Sequence, residues 1–333
     1  MGPPLSLTTI SFVEAINAAL RQSMELDPNV FVYGIGADKK SAIFGSTTGL
    51  VQQFGPKRVF DTPISEQALT AIAAGAAHAG LRPVLVHQRV DFMLYTMDHL
   101  VNWIASWRYV SGGRATMPLT IRAIVGKGWG QGPQHSKTLH SWFAHVPGFQ
   151  VVIPGSPADA KGLLMSSIMS NDPTIFIEFR SLYAMKEEVP DKPYFIKHGQ
   201  ALVRRSGKDL TLVAFGATVS MAMAAADQLS AINIDAEVID LRTLAPLDIA
   251  TVVTSVAKTR RLLVAEMGWL KFGAAAEIIA AVCEEIGNDL IARPKRIGWP
   301  HSFVPTSAAL EEAFYPTTET LTAAARGCMA DGK

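Results

Sequence analysis

The chain has 333 residues, a formal net charge of +1, 49% apolar residues and only 18% charged ones, below the roughly 25% charged of an average soluble protein. This near-neutral balance excludes charge-driven binding to nucleic acid or an anionic membrane. No apolar run reaches the ~18 residues of a membrane span, and the length suggests two domains. So few charges imply that some surface is buried against other subunits. Cys283 and Cys328 have no metal or redox spacing and suit a reducing cytoplasm. Met1-Gly2-Pro3-Pro4 lacks the basic start and apolar core of a signal peptide, and Pro3 argues against myristoylation at Gly2.

In chain order, Ser11-Phe12-Val13-Glu14 reads as a capping box. It opens a helix with Phe12, Ile16, Leu20 and Met24 on one side, ended by Asp27-Pro28. A buried strand at 30–34 follows, then loop and short helix over 35–60. Pro63 forces Thr62 extended, Ser65 is a candidate N-cap, and Glu66 opens an Ala/Gly-rich helix to about residue 80. A strand is expected at 83–87, then a helix over 92–110 with Met97, Leu100, Val101, Ile104 and Trp107 as its apolar stripe. A strand at 119–125 runs into a glycine-rich loop over 126–136, followed by a strand at 151–154, a helix at 158–171 and a strand at 174–179. A second alternating set has strands at 210–216, 236–240, 262–266 and 294–298, with helices at 217–229, 248–257 and 273–287.

This alternation predicts an α/β protein with two mainly parallel sheets and helices on both faces of each. The expected division is a first domain at 1–185, a Lys/Glu/Pro-rich linker at 186–204 and a smaller second domain at 205–333.

Several residues could carry chemistry. Glu66 is either a helix-start acid favoured by the dipole or a carboxylate in a dry pocket, where a raised proton affinity suits proton exchange with a ligand. The apolar residues after it favour the second reading. His135, flanked by Gly132-Pro133 after a strand end, is a surface histidine or a catalytic one, since parallel sheets place ligand sites at strand ends. His135, His140 and His145 are spaced five apart, so they do not share a helix face for metal binding. The alternating glycines from Gly126 to Gly132 lack the Gly-Lys-Ser/Thr ending of a phosphate loop and do not match the dinucleotide fingerprint. Phe92 is a core or site aromatic. His87-Gln88-Arg89 ends an apolar strand in polar groups, and Arg89 suits a substrate carboxylate or phosphate, or pairs with Asp91.

Several motifs together resemble the beta subunit of the thiamine-diphosphate-dependent 2-oxo acid dehydrogenase decarboxylases of the pyruvate, branched-chain and acetoin type. These are Val13-Glu14-Ala15-Ile16-Asn17, Lys57-Arg58-Val59-Phe60-Asp61-Thr62-Pro63-Ile64-Ser65-Glu66, Ala79-Gly80-Leu81-Arg82-Pro83, Gln134-His135-Ser136, His145-Val146-Pro147-Gly148, Asp159-Ala160-Lys161-Gly162-Leu163 and Phe272-Gly273-Ala274-Ala275-Ala276-Glu277-Ile278. The resemblance spans nearly the whole chain. It implies a transketolase-like pyrimidine-binding domain followed by a transketolase C-terminal domain, in an α2β2 assembly sharing thiamine diphosphate with an alpha-type subunit.

By the same resemblance Glu66 protonates a pyrimidine ring nitrogen, Phe92 stacks on that ring, Ile64 lies beside it, and His135 assists acyl transfer to a lipoyl group. His87 and Arg89 would face the 2-oxo acid substrate. Because Gly-Asp-Gly occurs nowhere in the chain, the diphosphate and Mg2+ would belong to the partner subunit. A potassium site would fall near Leu119, Ser167, Ile168, Ser170 and Asp172, with Ser170 in place of a usual Asp. A lipoyl acyltransferase core is a further expected partner.

Val86-His87-Gln88-Arg89-Val90-Asp91-Phe92 departs from the family's Glu-Phe-Met-Thr-Phe-Asn-Phe, and Val304-Pro305-Thr306-Ser307 from its Val-Pro-x-Pro-aromatic. These departures leave open a two-subunit carboligase or transketolase-like enzyme outside a multienzyme complex. A non-catalytic structural partner is the remaining alternative; retained Glu66, Phe92 and His135 argue against it.

Overall fold

A computed structural model of the chain describes residues 6–39, 42–128 and 130–331. Met1 to Pro4 at the N-terminus, and Trp129 of the glycine-rich loop, lie outside the described residues. The chain divides into two compact units, the first comprising residues up to Gly126 together with Trp142–His198, the second Lys127–Ser141 together with Gly199–Lys333.

The first unit begins with β1 (Leu7–Ser11), α1 (Phe12–Leu26) and β2 (Val30–Tyr33). The expected capping box is present: the Ser11 side chain accepts from the Glu14 backbone N–H, and the Glu14 carboxylate accepts from Ser11 N at 2.7 Å. Phe12, Ile16, Leu20 and Met24 of α1 are buried, and α1 packs on α6 (Pro157–Met169). Between these come α2 (Leu50–Phe54), β3 (Val59–Phe60), α3 (Glu66–His78), β4 (Arg82–His87), α4 (Trp107–Val110), β5 (Thr120–Val125), α5 (His140–His145) and β6 (Gln150–Val152). β7 (Thr174–Phe179) and β8 (Lys186–Pro190) complete the unit. The strands run in the order β6-β7-β5-β4-β2-β3, every neighbour parallel.

Two expectations need correction here. The single helix over 92–110 is instead a 3-10 turn (Val90–Thr96), a wide helical turn (His99–Ile104) and the short α4. The wide turn closes an i to i+5 bond, Ala105 N to Leu100 O at 2.9 Å, the signature of an inserted residue. The apolar stripe survives it, since Leu100 and Ile104 are fully buried.

The stretch 186–204 is structured and not a free linker. β8 pairs antiparallel with β1, from Leu7↔Pro190 to Ser11↔Lys186. The following segment is strapped to α6: Lys161 Nζ donates to the carbonyls of Pro190, Asp191 and Lys192 at 2.5, 3.1 and 3.2 Å. Tyr194 and Ile196 occupy the space a side chain at Gly162 would need, at 2.6 and 2.7 Å from its ideal Cβ. The charged composition had masked this, because the ammonium is satisfied by backbone carbonyls and not by an acid.

The second unit runs β9 (Leu202–Arg205), β10 (Leu210–Ala214), α7 (Thr218–Ser230), β11 (Ala236–Asp240), β12 (Thr243–Ala245), α8 (Ile249–Thr259) and β13 (Leu262–Trp269). It ends with α9 (Ala274–Ile286), β14 (Lys295–Trp299), α10 (Ala308–Phe314) and α11 (Thr318–Ala330). Its sheet order is β14-β13-β10-β11-β9, parallel except for β9 against β11. Its core joins Leu210, Leu212 and Ala214 to Ala222, Ala225 and Ala226 of α7 and to Leu321, Ala325 and Cys328 of α11. Among the described residues no helix is long and apolar enough to cross a membrane.

Two stability tests follow from these elements. Gly148 sits at φ +101 with its ideal Cβ 2.1 Å from the Ala105 carbonyl oxygen, whereas Gly80 at φ +91 has nothing within 4 Å. In denaturant unfolding, Gly148→Ala is expected to cost at least about 2 kcal/mol and Gly80→Ala about 1 kcal/mol. Equal losses would remove the clash from the account.

His87 ends β4 fully within the core, 4% exposed, and burial pushes its pKa down to about 4. The folded state therefore favours the neutral ring. Its contribution is complete above the ordinary value near 6.5 and is lost as pH falls from there toward 4. The depression corresponds to on the order of 3 kcal/mol. Natural protein is expected to lose more stability between neutrality and pH 4.5 than His87→Gln; parallel curves would mean that His87 titrates as if exposed.

Candidate active site

In a parallel sheet the helix after each strand begins at that strand's carboxyl edge, where α/β proteins place ligands. In the first unit β3 delivers Asp61-Thr62-Pro63-Ile64-Ser65 to the start of α3, and β4 delivers His87 to Phe92 at the same edge. Asp61 fixes the approach. Its Oδ1 accepts from the backbone N–H groups of Gly36 and Thr62, and its Oδ2 lies 3.0 Å from Lys39 Nζ. The Gly36 N–H foremost, with Lys39 and Thr62, holds the Asp61 carboxyl below its usual range.

Glu66 is the first residue of α3. Ser65 occupies the N-cap position but makes no capping bond from its side chain, which corrects that expectation. A dry pocket around Glu66 is likewise not what the chain by itself forms: Glu66 is half-buried and Ile64 is 78% exposed. The helix is anchored instead one turn on, where the buried Tyr33 hydroxyl donates to Leu69 O at 2.6 Å. Phe92, half-buried, lies on the turn Val90–Thr96, which packs against α3.

Arg89 is buried, its Nη1 donating to Gln88 O at 2.6 Å. Its guanidinium lies 4.9 Å from the Phe44 ring centroid, and that of Arg180 lies 3.8 Å from the same ring. Burial, then the charge of Arg180, pushes the pKa of Arg89 below its ordinary value, with Asp91 opposing. Phe44 and its neighbour Ile43 hold left-handed backbone at φ 57 and φ 48, a strained state that surrounding contacts must enforce.

Below them lies a network that sequence reasoning missed. Arg122 on β5 donates to Glu178 on β7 through Nε at 2.5 Å and Nη2 at 2.9 Å, and to Ser46 Oγ at 3.0 Å. The Tyr183 hydroxyl donates to Glu178 at 2.7 Å. Both charged side chains are fully buried. Burial opposes the charge on Arg122, but Glu178 more than offsets it and raises the guanidinium's pKa. The available signal was an opposite pair of charges inside two apolar strands.

His135 belongs to the second unit, in the segment Lys127–Ser141. Its Nδ1 lies 3.3 Å from Gln131 O. Gly128 N donates to the buried Glu311 carboxylate at 2.7 Å, and Lys127 Nζ lies 4.4 Å from the Tyr315 ring centroid. Gly132, at φ +63, leaves room for Thr306 Cγ2, which would stand 2.5 Å from a Cβ there. His140 Nε2 lies 3.2 Å from Glu266, whose carboxylate also accepts from Ala274 N and Ala275 N at the start of α9. Glu266 and Glu311 were also missed; Glu266 shows in the sequence as an acid closing an apolar run. The structure thus brings Ile64, Glu66, His87, Arg89 and Phe92 to one sheet edge and places His135 on a loop of the other unit.

Residues 8–186 match the transketolase pyrimidine-binding domain and residues 199–321 the transketolase C-terminal domain. The chain is 41% identical to the acetoin:2,6-dichlorophenolindophenol oxidoreductase subunit beta of Cupriavidus necator, over 97% of this chain and 98% of that one. It is 39% identical to the pyruvate dehydrogenase E1 component subunit beta of Bacillus subtilis, over 96% and 98% of the two. Among solved structures, the inactive beta4 tetramer of a split-gene transketolase shares the fold with a TM-score of 0.79 at 23% identity, covering 97% of this chain and 99% of that one. The two domain matches in this order, with relatives of this similarity along nearly the full length, make the chain a member of the transketolase-type family that includes the beta subunits of pyruvate dehydrogenase E1 and of acetoin oxidoreductase.

Proposed function

We propose that this chain is the beta-type subunit of a thiamine-diphosphate-dependent 2-oxo acid dehydrogenase or decarboxylase, active with an alpha-type partner in an α2β2 assembly. The observation that carries the reading is Glu66 at the first turn of α3, half-buried at the carboxyl edge of the parallel sheet, with the turn bearing Phe92 packed against the same helix. A half-open carboxylate, an aromatic face and the exposed Ile64 fit an aminopyrimidine ring. The diphosphate does not fit this chain, which has no Gly-Asp-Gly; that half, with its Mg2+, falls to the partner.

Thiamine diphosphate, when bound, supplies the electron sink for decarboxylation. Glu66 would hold a proton at a pyrimidine ring nitrogen, Phe92 would stack on that ring and Ile64 would lie beside it. Arg89, with Arg180 on the same Phe44 ring, meets the substrate carboxylate, and the buried His87 at the end of β4 stays neutral. His135 assists transfer of the acyl group to a lipoyl group or another acceptor. A cytoplasmic location and a lipoyl acyltransferase core as a further partner belong to the same proposal.

The test is dye-coupled turnover of a panel of 2-oxo acids, with acetoin included, by the chain reconstituted with an alpha-type partner. Activity is expected only in the partnered form. Glu66→Gln is expected to lower kcat by about 10²–10⁴-fold, and His135→Ala to slow transfer to lipoamide more than dye reduction. Full activity of Glu66→Gln, or turnover by this chain alone, would overturn the proposal.

A further inference from the structure

The segment Lys127–Ser141, which carries His135, interrupts the first unit in sequence and belongs to the second in space. Its own backbone bonds are long: Gln131 N donates to Gly128 O at 3.3 Å and His135 N to Gly132 O at 3.5 Å. A glycine-rich loop with so little internal bonding loses much entropy when it is fixed. What fixes it here lies outside it, in two buried glutamates of the second unit, Glu311 and Glu266.

Glu311 holds the start of the segment. Its Oε1 accepts from Gly128 N at 2.7 Å, and the Tyr315 hydroxyl lies 3.4 Å from the same oxygen. The Tyr315 ring in turn carries Lys127 Nζ, 4.4 Å from its centroid, a cation on an aromatic face. Glu266 holds the end. Its Oε2 lies 3.2 Å from His140 Nε2, and the carboxylate is itself fixed by Ala274 N at 3.1 Å and Ala275 N at 3.4 Å. Between these anchors Ser136, Thr138 and His140 are all buried, with the period of extended chain. Gly268 makes room for the second anchor: an ideal Cβ there would stand 2.8 Å from His140 Cε1 and 3.1 Å from Thr138 Oγ1.

We propose that Glu311 and Glu266 are positioning residues that hold His135 by gripping its segment at both ends, on the reading of His135 as the acyl-transfer residue given above. Neither glutamate touches the acyl group. Each acts through an acceptor oxygen: Glu311 on the Gly128 N–H, Glu266 on the His140 ring.

Amide hydrogen exchange of the full chain tests this without cofactor or substrate. Glu311→Leu leaves the Gly128 N–H unpaired and is expected to speed exchange over residues 127–141 by about 5–100-fold, with β10, β11 and β13 unchanged. Glu311→Gln keeps an acceptor oxygen and is expected to exchange like the natural chain. In the partnered enzyme, Glu311→Leu is expected to lower transfer to lipoamide about tenfold relative to dye reduction, the partition expected of His135→Ala, and Glu311→Gln to restore it. Unchanged exchange in Glu311→Leu, equal loosening by Gln and Leu, or a loosened segment with an unchanged partition overturns the proposal. If Glu311→Leu does not fold, Gly268→Ala decides: it displaces the His140 ring from Glu266 and is expected to give the same loosening and the same shift in partition, and no change in either overturns the proposal. If the natural partnered protein turns over no 2-oxo acid, the functional reading fails instead, and the exchange rates alone decide whether the glutamates hold the segment.

Discussion

The first unit depends on the buried pair of Arg122 and Glu178. Neither side chain reaches solvent, and each lies on a central parallel strand. Removing one partner of such a pair leaves an uncompensated buried charge, at about 3–5 kcal/mol. The pair also sets register: it holds the loop through Ser46 and the turn after β7 through Tyr183. Tyr183 in turn stacks with Phe12, 6.0 Å between ring centroids, and Phe12 N donates to Met185 O at 2.8 Å. One ion pair thus ties the start of α1, the loop carrying Phe44 and the middle of the sheet into one frame.

Much of the fold was legible because burial imposes period. The apolar runs at 210–216, 236–240 and 262–266 are strands within a residue or three of their expected ends. The capping box at Ser11 is local chemistry and reads directly. What escaped were elements with no period of their own. β8, Lys-Glu-Glu-Val-Pro, looks like a solvated run, yet it is held by backbone pairing to β1 that no local pattern announces. α11 is rich in Ala and Thr and shows little amphipathic contrast, but its small side chains are what let it lie close on α7.

The site divides in the same way. Glu66 and Phe92 stand where their positions after β3 and β4 put them, at the carboxyl edge of the sheet. The pocket expected around Glu66 was not readable from apolar neighbours, because Ala and Ile along a helix say which face is apolar and not what covers its first turn. Arg89 was legible as a polar interruption, but its stacking on Phe44 depends on a left-handed backbone at residues 43 and 44 that neither Ile nor Phe signals.

The ribbon of β1 and β8 bears on the order in which the chain matures. Its two strands are the first and last of the first unit, paired residue for residue from Leu7 to Ser11. Such a contact has high sequence separation, and the chain entropy of closing it must be met before the pairing is gained. On the ribosome β1 therefore emerges long before its partner exists and remains an unpaired edge until residue 190 has been made. The unit cannot be finished piecemeal from its N-terminus; its first strand is among the last to be seated.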